Sequence, residues 1–175
     1  MSKKEEFFKD RFKQALDSTY KVISEELHNL SKKENPKDIE DYKISNLYSR
    51  EDYIKFRALT DSKALKKKLS DENIFKKNFP KNHSYKIFYE ISEKIRCELL
   101  GSDMLYGIKK NINENYNNKI LKKKENNIKK REDVNVSEAF ELYLLKNFLN
   151  IKLNNVSNKI LSFWEDKFDK NIKKH

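Results

Sequence analysis

Strong helix breakers are almost absent from this sequence, and their scarcity limits the chain to one class of fold. Only two glycines and two prolines occur in 175 residues. Apolar residues recur every three or four positions along most of the chain, which is the spacing of one helix face. We therefore predict an all-α fold, a compact bundle of about six helices. The exception is a loop around Pro36, with room for one short strand near residues 29–47.

The length and composition fit one helical domain spanning residues 1–175. Hydrophobic residues make up 37% of the chain and aromatic residues 12%, too much for a disordered chain even with 38% charged residues. The single cysteine, Cys97, excludes an internal disulfide. The N-terminus lacks the apolar segment of a signal peptide, and no apolar run approaches the ~20 residues that span a bilayer. We expect a cytoplasmic protein that does not bind membranes.

Polar residues with capping chemistry mark where the predicted helices begin. Ser49 precedes an acidic pair, which favours a helix start there and a helix that continues to about Ser70. Ser84 and Asn155 are predicted to cap two later helices, the second of which is the last in the chain. Asn135 is followed three residues later by a glutamate, which is a variant of the capping box.

Positive charge is concentrated in residues 108–131. The whole chain carries a net charge of +11, and this stretch alone has nine basic and two acidic side chains. Such a local excess can attract phosphates or an acidic protein. The densest part of the patch consists of Lys122, Lys123, Lys124, Lys129, Lys130 and Arg131.

The kind of positive charge argues against nucleic acid as the main partner. Lysine outnumbers arginine 34 to 5, and asparagine and isoleucine are abundant. An AT-rich genome produces this bias without selection for a ligand, whereas dedicated nucleic-acid binders favour arginine for bidentate contacts. A basic helical nucleic-acid-binding protein that uses residues 108–131 is therefore the alternative hypothesis.

The sequence contains no complete catalytic or metal site. The histidines His28, His83 and His175 are far apart, and zinc sites need several nitrogen or sulfur ligands at suitable spacing. No glycine-rich phosphate loop or nucleophile elbow is present. Cys97 with His83 is one arrangement to consider, but Cys97 falls beside an apolar stripe, where a packed thiol is the simpler interpretation. We predict no catalytic residue and no metal ligand.

One polar cluster precedes a pair of glycines. Glu93 and Arg96 are three residues apart and can pair on one helix face, whereas Glu98 projects elsewhere and can meet another helix. The two glycines of the chain, Gly101 and Gly107, bracket five residues, which indicates a close backbone approach or a tight turn between helices. A small hydrolase using Glu93 and Glu98 is a third hypothesis, but no nucleophile or substrate-positioning element accompanies these carboxylates.

A second polar cluster runs from Arg57 to Ser62. Within it, Asp61 falls on the apolar stripe of its helix, where a bare carboxylate is costly. Asp61 therefore needs a partner, and we predict that this partner is Arg96. A structural salt bridge between two helices is favoured over an acid–base role.

At these two clusters the chain resembles the N-terminal region of the T subunit (CobT type) of the aerobic, ATP-dependent cobaltochelatase. The R-G-x-A-D-S-x-A-L element of that family corresponds to residues 57–65. Its E-x-x-R-V-E-x-x-G element, followed by a second glycine, corresponds to residues 93–101 and Gly107. Weaker similarities occur at residues 12–15, 137–149 and 161–164. The order and spacing agree, so the resemblance spans roughly residues 7–170.

The resemblance implies a role in cobalamin biosynthesis. In that family the T subunit pairs with an AAA+ ATPase subunit, and together they act on a large subunit that binds the corrin ring. ATP hydrolysis then drives cobalt insertion. ATP, magnesium and cobalt would be handled by the wider complex, with no cofactor in this chain. The acidic middle segment of the family and its C-terminal von Willebrand A-type domain, which carries a D-x-S-x-S metal site, are expected to be absent here.

We therefore expect a non-catalytic helical interaction domain of a cobaltochelatase assembly. The assembly is a ligase that forms nitrogen–metal bonds, and this chain is not expected to be active alone. Its partners would be the AAA+ ATPase subunit and the large corrin-binding subunit. The expected structural and interaction residues are Arg57, Asp61, Ser62, Glu93, Arg96, Glu98, Gly101 and Gly107.

Overall fold

The computed structural model describes residues 3–24, 47, 49–123 and 128–172. These residues form eight α-helices and one three-residue 3-10 helix, with no strand among them, so the all-α prediction is confirmed. The short strand expected near residues 29–47 lies outside the described residues, except for Leu47, which is in no strand. In chain order the helices are α1 (Lys3–Ser24), α2 (Arg50–Leu69), α3 (Glu72–Lys77), α4 (His83–Met104), α5 (Tyr106–Leu121), α6 (Val136–Asn147), α7 (Asn155–Ser162) and α8 (Glu165–Ile172).

The structure has more helices than the six predicted for two reasons. The connector after Ser70 contains the short helix α3, whose N-cap Asp71 accepts hydrogen bonds from the next helical N–H groups. The predicted last helix is divided into α7 and α8 at Phe163 and Trp164. Neither difference changes the class of the fold.

Two of the predicted helix caps are confirmed. Ser49 and Asp52 form a complete capping box at the start of α2, with the Ser49 N–H donating to Asp52 Oδ2 at 2.9 Å. Asn135 caps α6 by accepting from the N–H two residues later, at 2.9 Å. The glutamate of the expected capping box, Glu138, instead forms an ion pair with Lys123. The sequence pattern therefore located the starts of α2 and α6 correctly.

The caps predicted at Ser84 and Asn155 are each displaced. Asn82 caps α4, and Asn154 caps α7, because each asparagine carbonyl accepts from an N–H of the first helical turn. Both helices therefore begin slightly earlier than predicted.

Helix α4 lies between two groups of helices. In the first group, α2 contacts α1, α4 and α5, and α4 and α5 also contact each other. In the second, α6 contacts α7 and α8, and α6 joins this group to α4. The larger of two core clusters among the described residues runs through both groups. Its residues Ala64, Cys97, Ile112, Ala139 and Leu161 are at most 1% exposed. No described helix has both the length and the apolar character needed to cross a membrane.

Candidate functional site

Glu98 is the centre of a buried hydrogen-bond network that joins three helices. Its side chain lies on α4, and the residue is 2% exposed. Ser62 Oγ of α2 donates to Oε1 at 2.6 Å, and Tyr116 Oη of α5 donates to Oε2 at 2.7 Å. Lys94 Nζ, one turn earlier on α4, is 3.9 Å from Oε1. The prediction that Glu98 meets another helix is confirmed, because this carboxylate on α4 accepts hydrogen bonds from both α2 and α5.

Tyr116 reaches this network because it lies on the buried face of α5. Ile112 and Ile120, four residues to either side, are also buried on that face. Burial, together with the negative charge of Glu98, raises the pKa of Tyr116 well above its usual range. The phenol therefore stays protonated and acts as a hydrogen-bond donor to the carboxylate.

Asp61 is the second buried carboxylate of the two motifs, and it is also 2% exposed. Asn111 Nδ2 of α5 donates to Asp61 Oδ2 at 2.8 Å. Burial raises the pKa of Asp61 above its ordinary value of 3.8, whereas the bond from Asn111 and the charge of Arg57 act in the opposite direction. The carboxylate therefore has one neutral hydrogen-bond donor and an exposed arginine nearby to offset its desolvation.

The predicted contact between Asp61 and Arg96 is wrong. Arg96 donates through Nε and Nη2 to the carboxylate of Glu93, at 2.8 Å each, and through Nη2 to the carbonyl oxygen of Leu69 at 2.9 Å. Leu69 lies eight residues beyond Asp61 on α2, a rise of about 12 Å. The guanidinium therefore meets the last turn of α2, far along the axis from Asp61. The predicted pairing of Glu93 with Arg96 is confirmed.

The two glycines have different environments. Gly101 lies inside α4, and a Cβ added there would overlap the buried side chain of Leu65, 2.8 Å from its Cγ. Gly107 is the second residue of α5, and a Cβ there would meet no atom within 4 Å. The predicted close backbone approach is confirmed for Gly101, whereas Gly107 makes none. The alternative prediction, a tight turn between helices, is confirmed for the segment between the two glycines. The turn between α4 and α5 is made at Leu105, in extended conformation.

Comparison with known protein families identifies the family of this chain. The family model described as cobalamin biosynthesis protein CobT matches residues 8–175. The chain belongs to the CobT family. No curated protein and no solved structure matches it. The matched region contains both polar motifs, so this CobT-family chain has a role in cobalamin biosynthesis.

The nucleophile and the carboxylate pair considered from the sequence are not assembled in the CobT-family chain. Burial raises the pKa of the Cys97 thiol to about 11, and His83 lies 14 residues away on the same helix, about 21 Å along the axis. Glu93 and Glu98, five residues apart on α4, point about 140° apart around the axis. The described part of the chain holds no group of three or more His, Cys, Asp or Glu suited to a metal ion.

The basic residues at the end of α5 turn towards different helices. Lys122 forms an ion pair with Glu51 in the first turn of α2. Lys123 forms its ion pair with Glu138 in the first turn of α6. These two lysines of the predicted basic patch are therefore engaged within the domain.

The other described residues of the patch follow the undescribed residues 124–127. The guanidinium carbon of Arg131 lies 3.6 Å from the centre of the Trp164 ring. Lys129 and Lys130 are exposed beside the 3-10 helix, and Lys124 lies outside the described residues. Lys122, Lys123 and Arg131 each have a partner within the domain, which weakens the electrostatic argument for nucleic-acid binding.

Sequence reasoning missed the two α5 residues that complete the polar contacts. Tyr116 had an available signal, because a tyrosine on a buried helix face needs a partner for its hydroxyl. Asn111 had none, because an isolated asparagine in a basic, asparagine-rich stretch looks like an ordinary surface residue. Both partners come from a helix that neither motif contains.

The stability of the chain should depend on pH through Asp61. Because the pKa of this carboxyl is raised, the folded state binds its proton more tightly than the unfolded state. The free energy of unfolding therefore falls as pH rises from 3.8 through the pKa of the folded state. At pH 7 the ionised carboxylate still carries the full desolvation cost of its burial. We expect Asp61→Asn to be more stable than the wild type at pH 7, because the amide cannot ionise and still accepts from Asn111.

Urea unfolding at pH 4, 5.5 and 7 measures this difference, which should shrink as the pH falls. Asp103→Asn, at an exposed position on the same helix as Glu98, is the control and should change the free energy of unfolding at pH 7 by less than about 0.5 kcal/mol. A less stable Asp61→Asn variant at pH 7 would contradict the prediction.

Proposed function

We propose that this chain is a non-catalytic helical interaction domain of an ATP-dependent cobaltochelatase assembly. Its partners are the AAA+ ATPase subunit and the large corrin-binding subunit, and ATP, magnesium and cobalt are handled by the wider complex. The observation that carries the proposal is that both buried carboxylates of the family motifs, Asp61 and Glu98, bond to side chains of neighbouring helices.

The contacts of the other motif residues support the same interpretation. Arg96 is held by Glu93 on its own helix and by the last turn of α2, so its guanidinium fixes the position of α4 against that helix end. Gly101 allows α4 to approach Leu65 closely. Together these contacts make a rigid frame, and a rigid frame presents a surface to partners with little loss of conformational entropy.

The direct test is binding of the purified chain to each of the two subunits from the same genome, measured by surface plasmon resonance. We expect a complex with at least one of them, with a dissociation constant in the micromolar range or below, which corresponds to about 8 kcal/mol or more. An unrelated helical protein of similar positive charge is the control for non-specific attraction. Absence of binding to both subunits would contradict the proposed function.

A further inference from the structure

The corner between α4 and α5 exposes a run of apolar side chains. Met104, Leu105 and Tyr106 follow one another there, and Tyr106 is 82% exposed. Leu100, one turn before Met104, is also exposed on α4. Single exposed apolar residues are common on protein surfaces, but neighbouring ones mark contact sites for other molecules. The corner is therefore a candidate contact surface.

A groove begins at Tyr106 and follows the exposed face of α5 towards the start of α2. Its volume is about 470 Å³. Residues 106, 110, 113 and 117 have helical spacing and share one side of α5, away from the buried Ile108 and Ile112. The main lining residues are Arg50, Tyr106, Lys109, Lys110, Asn113 and Glu114.

The charge of the groove favours an acidic occupant. Arg50, Lys109 and Lys110 contribute three positive charges, against one negative charge from Glu114. Arg50 lies 3.5 Å from Glu114 but its side chain is 87% exposed, and both lysines are exposed. A second copy of this strongly basic chain would bring like charges together, which is unfavourable. The apolar corner and the cations together fit a segment with carboxylates beside an apolar side chain.

We propose that the α4–α5 corner and its groove dock an acidic polypeptide segment of a partner subunit. An apolar side chain of that segment packs on Tyr106, and its carboxylates pair with Lys109 and Lys110. This inference rests on the proposed function, since the partner is one of the two chelatase subunits. To that function the inference adds the docking surface on this chain and the chemistry of the partner segment that binds it.

The experiment compares dissociation constants of variants for the subunit that the wild-type chain binds. Lys109→Glu with Lys110→Glu should weaken binding at least tenfold, and Tyr106→Ser about tenfold or more, because buried aromatic anchors and opposite charges dominate such contacts. Lys77→Glu with Lys81→Glu makes the same charge change near the other end of α4, roughly 30 Å away, and should stay within about twofold. Thermal melting of each variant verifies that the fold is retained.

Cross-linking with a carbodiimide, which joins a lysine amine to a carboxylate in direct contact, identifies the partner segment. We expect Lys109 or Lys110 to be linked to an Asp or Glu of the subunit. If the wild-type chain binds neither subunit, the proposed function and this inference both fail. If it binds one but the groove variants bind as tightly as the wild type, the inference alone is overturned.

Two other occupants give results that would also overturn the proposal. If the wild-type chain sediments as a dimer and the Lys109→Glu, Lys110→Glu double variant sediments as a monomer, the groove belongs to a second copy of the chain. A labelled RNA or DNA duplex that binds the wild-type chain and displaces the subunit, but does not bind this variant, would assign it to nucleic acid.

Discussion

Glu98→Ala is expected to lower the free energy of unfolding by about 3 kcal/mol. The substitution removes the acceptor of the buried Tyr116 hydroxyl and of the half-buried Ser62 hydroxyl. A buried unsatisfied group costs about 1–3 kcal/mol, and a half-buried one costs less because water can reach it. It also opens a cavity where α2, α4 and α5 meet. Chemical denaturation followed by circular dichroism measures the loss, which should appear as a lower midpoint with little change in slope.

Smaller substitutions separate the parts of this effect. Tyr116→Phe and Ser62→Ala each remove one donor and keep the carboxylate, so each should cost about 1 kcal/mol. Glu90→Ala, an exposed glutamate two turns earlier on α4, is the matched control and should change stability by less than about 0.5 kcal/mol. If Glu98→Ala were no more destabilising than Glu90→Ala, the network would not be a stabilising feature.

Alanine substitutions at the two glycines are expected to have opposite effects. Gly101→Ala drives a methyl group into Leu65, which is 1% exposed and has little room to move. Overpacking costs about 1–3 kcal/mol, and the gain in helix propensity offsets up to about 1 kcal/mol, so we expect a net loss of about 1–2 kcal/mol. Gly107→Ala meets no neighbouring atom and should instead gain up to about 1 kcal/mol.

A double-mutant cycle assigns the Gly101 effect to its neighbour. In a Leu65→Ala background the added methyl group has space, so Gly101→Ala should become neutral or stabilising, with a coupling energy of about 1–3 kcal/mol. Thermal and urea unfolding of the four proteins in the cycle provide the measurement. Equal effects of Gly101→Ala in both backgrounds would show that Leu65 is not the cause.

The local features of the fold were largely predictable from the sequence. Helix starts at Ser49 and Asn135 follow from short-range capping chemistry, and the pair of Glu93 with Arg96 follows from helical spacing alone. Burial of Asp61 followed from its place on an apolar stripe. Each of these features depends on residues within one turn of a helix, and such information is present in a linear pattern.

The contacts between helices were only partly predictable. The pattern indicated that Asp61 needs a partner. Whether Arg96 could be that partner depends on how far α2 and α4 are shifted relative to each other along their axes. That shift is set by packing such as Gly101 on Leu65, and no short-range spacing encodes it. The partner came instead from α5, where Asn111 had no distinguishing pattern. The family assignment did not depend on this contact, because the match covers residues 8–175.

Helix α4 touches members of both helix groups, and this position governs how the domain loses structure. Helices α2 and α5 pack on α4, and α6 packs on it as well, so neither group can separate without exposing apolar surface of this shared helix. Opening of either group therefore raises the free energy of the other, so the two should melt in one cooperative transition. Amide protons in the middle of α4 would then exchange with solvent only through global unfolding, at the slowest rates among the described helices.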